Sequence, residues 1–148
     1  MTMNAHELAQ RYVHALNAIG VIADIDEDND VVFKMPGVGH FFIGLDADND
    51  PEFMRLVYPN FVGDSDEARM LSLLNKVNGG KKAVKLWMFE REDGFNVSAS
   101  IESFLAGVNQ APDAALLTST LERCIASIQS GVAIFMKEMR GLGEVQPN

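Results

Sequence analysis

Carboxylates recur at alternate positions in two short stretches, Asp26-Glu27-Asp28-Asn29-Asp30 and Asp46-Ala47-Asp48-Asn49-Asp50. Such spacing could offer oxygen ligands to calcium. A calcium loop also needs Gly at its sixth position and Glu at its twelfth. Here the sixth residues are Val31 and Pro51, and the twelfth are Gly37 and Val57. The stretches read as hairpin turns, in which Asp and Asn bond to nearby backbone groups; weak cation binding is the alternative. His6 and His14 differ by about 80° around a helix, and His40 stands alone, so no zinc-like set of three or four converging ligands is expected. Gly79-Gly80-Lys81-Lys82 lacks the leading Gly and closing Ser or Thr of a phosphate loop. It also joins a helix to a strand, the reverse of a phosphate cradle. No Ser lies in a nucleophile-elbow sequence. Lys81, Lys82, Lys85 and Arg91 with Trp87 and Phe89 could suggest base stacking, but strand aromatics are expected in the core. Cys124 is expected to act as a small buried hydrophobe. No catalytic residue, metal site or cofactor is therefore assigned.

The whole chain limits the partners further. Its 148 residues suit one domain. It carries 12 Lys plus Arg against 21 Asp plus Glu, a formal net charge of −9, which disfavours nucleic acid and anionic membranes as partners. No apolar run approaches the roughly 18–20 residues that span a bilayer. The first residues lack the basic start and continuous apolar core of a signal peptide. A single Cys forms no internal disulfide, so a cytoplasmic location is the default expectation. The charge is uneven. Asp24 to Glu67 holds twelve acidic and two basic residues, a net of −10, and Arg69 to Arg91 carries a net of +5. The two segments are expected either to be separate solvated faces or to meet, within the chain or across a dimer.

The elements that must position these residues follow from periodicity. Leu8, Tyr12, Ala15, Leu16 and Ile19 mark a helix over 5–19, with Gly20 just past its end. Strands are expected at Val21–Ile25, Val31–Met35, Phe41–Leu45 and Phe53–Tyr58, and their short connections favour an antiparallel meander. Asp64 is read as the start of a second helix, with Glu67 in capping-box spacing, ending at Asn78-Gly79-Gly80. A hairpin over 82–91 and 95–101 turns at Glu92-Asp93-Gly94. Its second strand alternates Phe95, Val97, Ala99 and Ile101 with Asn96, Ser98, Ser100 and Glu102, the pattern of a sheet with one wet side. Leu117, Leu121, Cys124, Ile128, Val132, Phe135 and Met139 form the stripe of a last helix from 113 to 140, where Gly131 could bend it; residues 141–148 are expected to be a loose tail. The fold class is α+β: helix, four-stranded antiparallel meander, helix, β-hairpin, long C-terminal helix.

Met70, Leu71, Leu73, Leu74 and Val77 cover an arc of about 160° on the second helix, wider than the roughly 100° that one packed surface needs. The surplus points to a second neighbour, another helix of this chain or a partner subunit. Met70, Leu73 and Val77, with Trp87 and Met88 of the following strand, are the candidate dimer or partner interface.

The element order, and Leu73-Leu74-Asn75-Lys76-Val77-Asn78 leading into a Lys-rich strand, resemble the YbjN-like family. That family is labelled as bacterial sensory transduction regulators and is similar in fold to the small acidic dimeric chaperones of type III secretion. The resemblance spans about residues 5–140. It implies a non-enzymatic homodimer that binds proteins or acts as a chaperone, with a regulatory role. A small-molecule or cation-sensing regulatory domain is the alternative.

Overall fold

The computed structural model describes residues 3–145, with side chains to 141. The elements run α1 (Ala5–Ala18), β1 (Ala23–Ile25), β2 (Val31–Met35), β3 (Gly39–Asp46), β4 (Asp50–Asp64), α2 (Glu67–Gly80), β5 (Lys85–Arg91), β6 (Gly94–Phe104) and α3 (Ala114–Val145). The meander and the hairpin join in one six-stranded sheet of order β1-β2-β3-β4-β6-β5 with every pairing antiparallel. α1 packs on β1, β2 and β3, α2 on β5, and α3 on β6 and on both other helices. All three helices cover the same face.

Helix ends follow local chemistry. Asn4 caps α1 by accepting the Glu7 N–H at 2.8 Å, and the Glu7 carboxylate accepts back from the Asn4 amide at 3.0 Å. Gly20, at φ 84°, reverses the chain, so that its N–H and that of Val21 bond to Asn17 and Leu16 carbonyls. For α2 the cap is Asp66, whose side chain accepts the Arg69 N–H at 3.1 Å. Asp64 instead ends β4 and accepts the Asp66 N–H at 2.9 Å. The capping-box reading was two residues early, because a run of carboxylates offers several equivalent caps. Asp113 caps α3 by accepting the Leu116 N–H at 3.1 Å.

β3, β4, β6 and α3 exceed their expected length, and β4 and α3 do so with structural consequences. β4 runs past the expected end at Tyr58 although Pro59 cannot donate to a sheet ladder. The strand absorbs it in a bulge between Tyr58 and Val62, with Asn60 left-handed at φ 52°, and then pairs on to Asp64. The buried Ser98 hydroxyl accepts the Asn60 N–H that the bulge displaces, at 2.9 Å. Residues 141–145 continue α3 rather than forming a loose tail; 146–148 lie outside the described residues. At 1.5 Å per residue the helix is about 48 Å long.

The core is built from alternate strand positions and helix stripes. Val31, Phe33, Phe41, Ile43, Met54, Leu56, Val97, Ala99 and Ile101 face Leu8, Tyr12, Leu16, Leu117, Leu121, Ile128 and Phe135. An aromatic row runs through it. Phe33 stacks on Phe41 at 5.2 Å between centroids, Phe41 on Tyr58 at 4.7 Å, and Tyr58 on Phe61 at 5.7 Å. Phe61 then meets Phe135 of α3 edge-on at 5.9 Å. This ties the bulge of β4 to the long helix.

Gly131 sets how closely α3 approaches the connection before β5. A methyl group there would lie 2.9 Å from Val84 Cγ1, and Val84 is itself buried. The glycine is thus a contact residue. Gly131→Ala gains about 1 kcal/mol of helix propensity but overpacks at a cost of about 1–3 kcal/mol. Urea unfolding should show a net loss of about 1 kcal/mol in the native background. With Val84→Ala present, the same substitution should be neutral or stabilising.

Candidate binding surface

The opposite face of the sheet carries no helix. In β5, Leu86 is buried in the core and Met88 packs against it. Lys85, Trp87, Phe89 and Arg91 alternate to the open face, beside Ser100, Ser98, Asn96 and Gly94 of β6. Trp87 and Phe89 are therefore outside the core where sequence had put them. Trp87 is half-buried by its neighbours and Phe89 is 39% exposed. The Trp87 indole N–H donates to the Ser100 hydroxyl at 2.9 Å, and the Arg55 guanidinium lies 5.6 Å from the ring centroid. Glu102 Oε1 accepts from both Arg55 Nε and Lys85 Nζ at 3.2 Å. This cluster covers Ser98 and Ser100, which are almost fully buried, so the centre of the expected wet side is dry. Further along, Phe53 and Phe104 pair at 5.3 Å, and Phe104 is 70% exposed.

The sheet ends at β5, and this edge is partly occupied. The Asn78 side chain, from the last turn of α2, accepts the Leu86 N–H at 2.8 Å and donates to the Leu86 carbonyl at 2.9 Å. The amide thus substitutes for one residue of a neighbouring strand. By strand alternation, the N–H and C=O of Met88 and Glu90 point the same way, and among the described residues they have no protein partner. The free stretch of edge is about Met88–Glu90.

The candidate interface residues are divided by the fold. Met70, Leu73 and Val77 are buried at 0%, 4% and 3% exposure beneath α3 and β5. They are not available to a partner. With Leu74 they occupy an arc of about 100°, the width of one packed face. Leu71, half-exposed, supplies the surplus, and the second neighbour of α2 is α3. Trp87 borders the open face, and Met88 lies on the edge strand with its side chain towards the core.

The Asp-rich turns are explained by backbone bonding. Asp26 Oδ1 accepts the N–H groups of Asp28 and Asp30, both at 2.9 Å, and Asn29 is left-handed at φ 61°. Asp30 Oδ1 accepts the Leu45 N–H at 3.0 Å, and Asp46 accepts from Asn49. Among the described residues no group of three His, Cys, Asp or Glu side chains converges as a metal set. The first acidic turn, between β1 and β2, lies at the opposite end of the sheet order from basic β5, and the second, between β3 and β4, lies at its middle. Within the described chain, the ion pair joining the two charge segments is the local contact Arg69–Asp64 at 3.5 Å. Lys76 pairs with Glu138 and Lys85 with Glu102, both outside the acidic segment.

No family model matches the sequence, and neither does any curated protein. Among solved structures, YbjN of E. coli, described as a candidate transcription regulator, superposes with a TM-score of 0.62. The match covers 95% of each chain at 13% identity. The chain has a YbjN-like fold. At this identity the likeness is one of architecture, so the site residues stand on their geometry here. Among the described residues no helix of this YbjN-like chain is long and apolar enough to cross a membrane.

Two tests follow. Asn78→Ala removes two hydrogen bonds from the sheet edge, at a cost of about 1–2 kcal/mol measurable by urea unfolding. Asp30 has its carboxyl pKa raised, first by burial, then by the charges of Asp26 and Asp28, against the opposing Leu45 N–H bond. A carboxyl raised in the folded state favours folding while protonated. That contribution is lost as pH climbs from the ordinary carboxylate value through the raised one. Asp30→Asn keeps the acceptor for Leu45 and should raise the Tm at pH 7 but not at pH 3. A lower Tm for the variant at pH 7 would contradict this.

Proposed function

We propose that this chain is a non-catalytic homodimeric module that binds an extended segment of a partner protein, in a regulatory or chaperone-like role. The observation that carries the reading is the free Met88–Glu90 edge of β5 beside an open, aromatic-bearing sheet face. An unpaired strand edge invites strand addition, in which backbone bonds give affinity and alternate side chains give specificity. The added strand, a client segment or in its absence the β5 of a second copy, would lie beside Trp87 and Phe89, whose rings are 6.0 Å apart and available for cross-strand contact. The regulatory part rests on the YbjN likeness, since that protein is described as a candidate transcription regulator. A cation-sensing role is less supported, because the Asp26, Asp30 and Asp46 carboxylates already serve the turns.

The test separates association from folding. Leu73→Glu would place a charge in the core and report stability alone. Met88→Pro removes one outward N–H and is compatible with an edge strand. Sedimentation at micromolar concentration should give a dimer for the native chain and a monomer with native circular dichroism for Met88→Pro. A native chain that stays monomeric refutes the homodimer, and a Met88→Pro variant that stays dimeric refutes the β5 edge as its interface.

A further inference from the structure

A second feature lies on the helical side, away from the open face. Two adjoining cavities, of about 510 Å³ and 330 Å³, open between the α2–β5 connection and the middle of α3. Both are lined by Lys82, Arg123 and Ser127. The larger adds Lys81 and Ser130, and the smaller adds Thr120 over an apolar floor of Ala83, Ile101 and Cys124. No carboxylate lines either cavity, in a chain whose net charge is −9. Among the described residues Lys81, Lys82 and Arg123 take part in no ion pair, whereas Arg55, Arg69, Lys76 and Lys85 all do.

The Lys81 ammonium and the Lys82 backbone are tied to α3. Lys81 Nζ donates to the Ser130 hydroxyl at 2.6 Å, and the Ser127 hydroxyl donates to the Lys82 carbonyl at 3.1 Å. Between Lys82 and Val84 the chain makes a three-residue turn, Val84 N–H to Lys82 carbonyl at 2.7 Å, with Ala83 left-handed at φ 67°. This turn type is rare and strained. It directs Lys82 towards α3 at the point where Gly131 permits close approach. The carboxyl end of α2 at Gly80 contributes about half a negative charge, which offsets only part of three cations. Like charges gathered without acids are unfavourable unless an anion joins them.

We propose that this cleft binds a small organic phosphate, its phosphate between Lys81, Lys82 and Arg123 with the Ser130 hydroxyl, and its apolar body on Ala83, Ile101 and Cys124. A phosphate dianion answers several cations where a carboxylate answers one or two, and guanidinium matches its geometry. The cavity sizes suit a small ligand. The inference is independent of the homodimer reading.

The experiment is a ¹⁵N-resolved NMR titration with phenyl phosphate, benzoate and sodium chloride at matched ionic strength. Phenyl phosphate should give saturable shifts at Ala83, Cys124, Ser127 and Ser130, and bind roughly tenfold or more tightly than benzoate. Lys82→Ala with Arg123→Ala, both exposed side chains, should preserve the spectrum elsewhere and weaken phenyl phosphate binding by roughly tenfold or more. Shifts that merely follow the chloride control overturn the proposal. So does benzoate binding as tightly as phenyl phosphate, or affinity unchanged in the double variant.

Discussion

When all the helices of a single antiparallel sheet fall on the same side they cover only that face, and the rest of this molecule follows from that constraint. Leu86 and Met88 of β5 and Val97, Ala99 and Ile101 of β6 are committed to the helices. Their neighbours must then face solvent or protect one another. Trp87, Arg55, Glu102, Lys85 and Ser100 take the second course, bonding among themselves over the sheet. Exposed ion pairs are individually weak. Here Glu102 joins two cations whose stems help to cover Ser98 and Ser100, so packing contributes alongside charge.

The covered face depends on α3 reaching across the domain. Its stripe meets α1, α2 and β6, and Phe135 closes the aromatic row that begins at Phe33. Offset and edge-on ring pairs each add about 0.5–1.5 kcal/mol beyond area burial. The row therefore connects β2 to the last helix through successive contacts rather than one dominant residue. Gly131 lets the same helix come close to Val84, which brings Ser127 and Ser130 beside the lysines. One steric concession thus shapes both the core and the basic cleft.

The fold divides the expected interface residues: Met70, Leu73 and Val77 are buried within the chain, whereas Trp87 and Met88 lie on the edge strand. Met70, Leu73 and Val77 were chosen because their helix looked too apolar for one neighbour. The excess was Leu71 alone, and a hydrophobic arc does not say which of its members will be covered. Sequence marks Asn78 as a helix-ending residue and as part of the stretch that resembles the YbjN-like family. Its pairing with Leu86 depends on α2 lying beside the outer edge of β5, which no local signal reveals.

Sequence by itself determined the elements, their order, the antiparallel character of the meander, the hairpin at Glu92–Gly94 and the apolar stripe of α3. These depend on periodicity and turn chemistry within a few residues of each position. The tertiary structure decided the pairing of β4 with β6, the bulge that carries β4 past Pro59, the face on which Trp87 lies and the convergence of Lys82 with Arg123. Each requires knowing what stands opposite, and residues opposite in space are dozens apart in the chain.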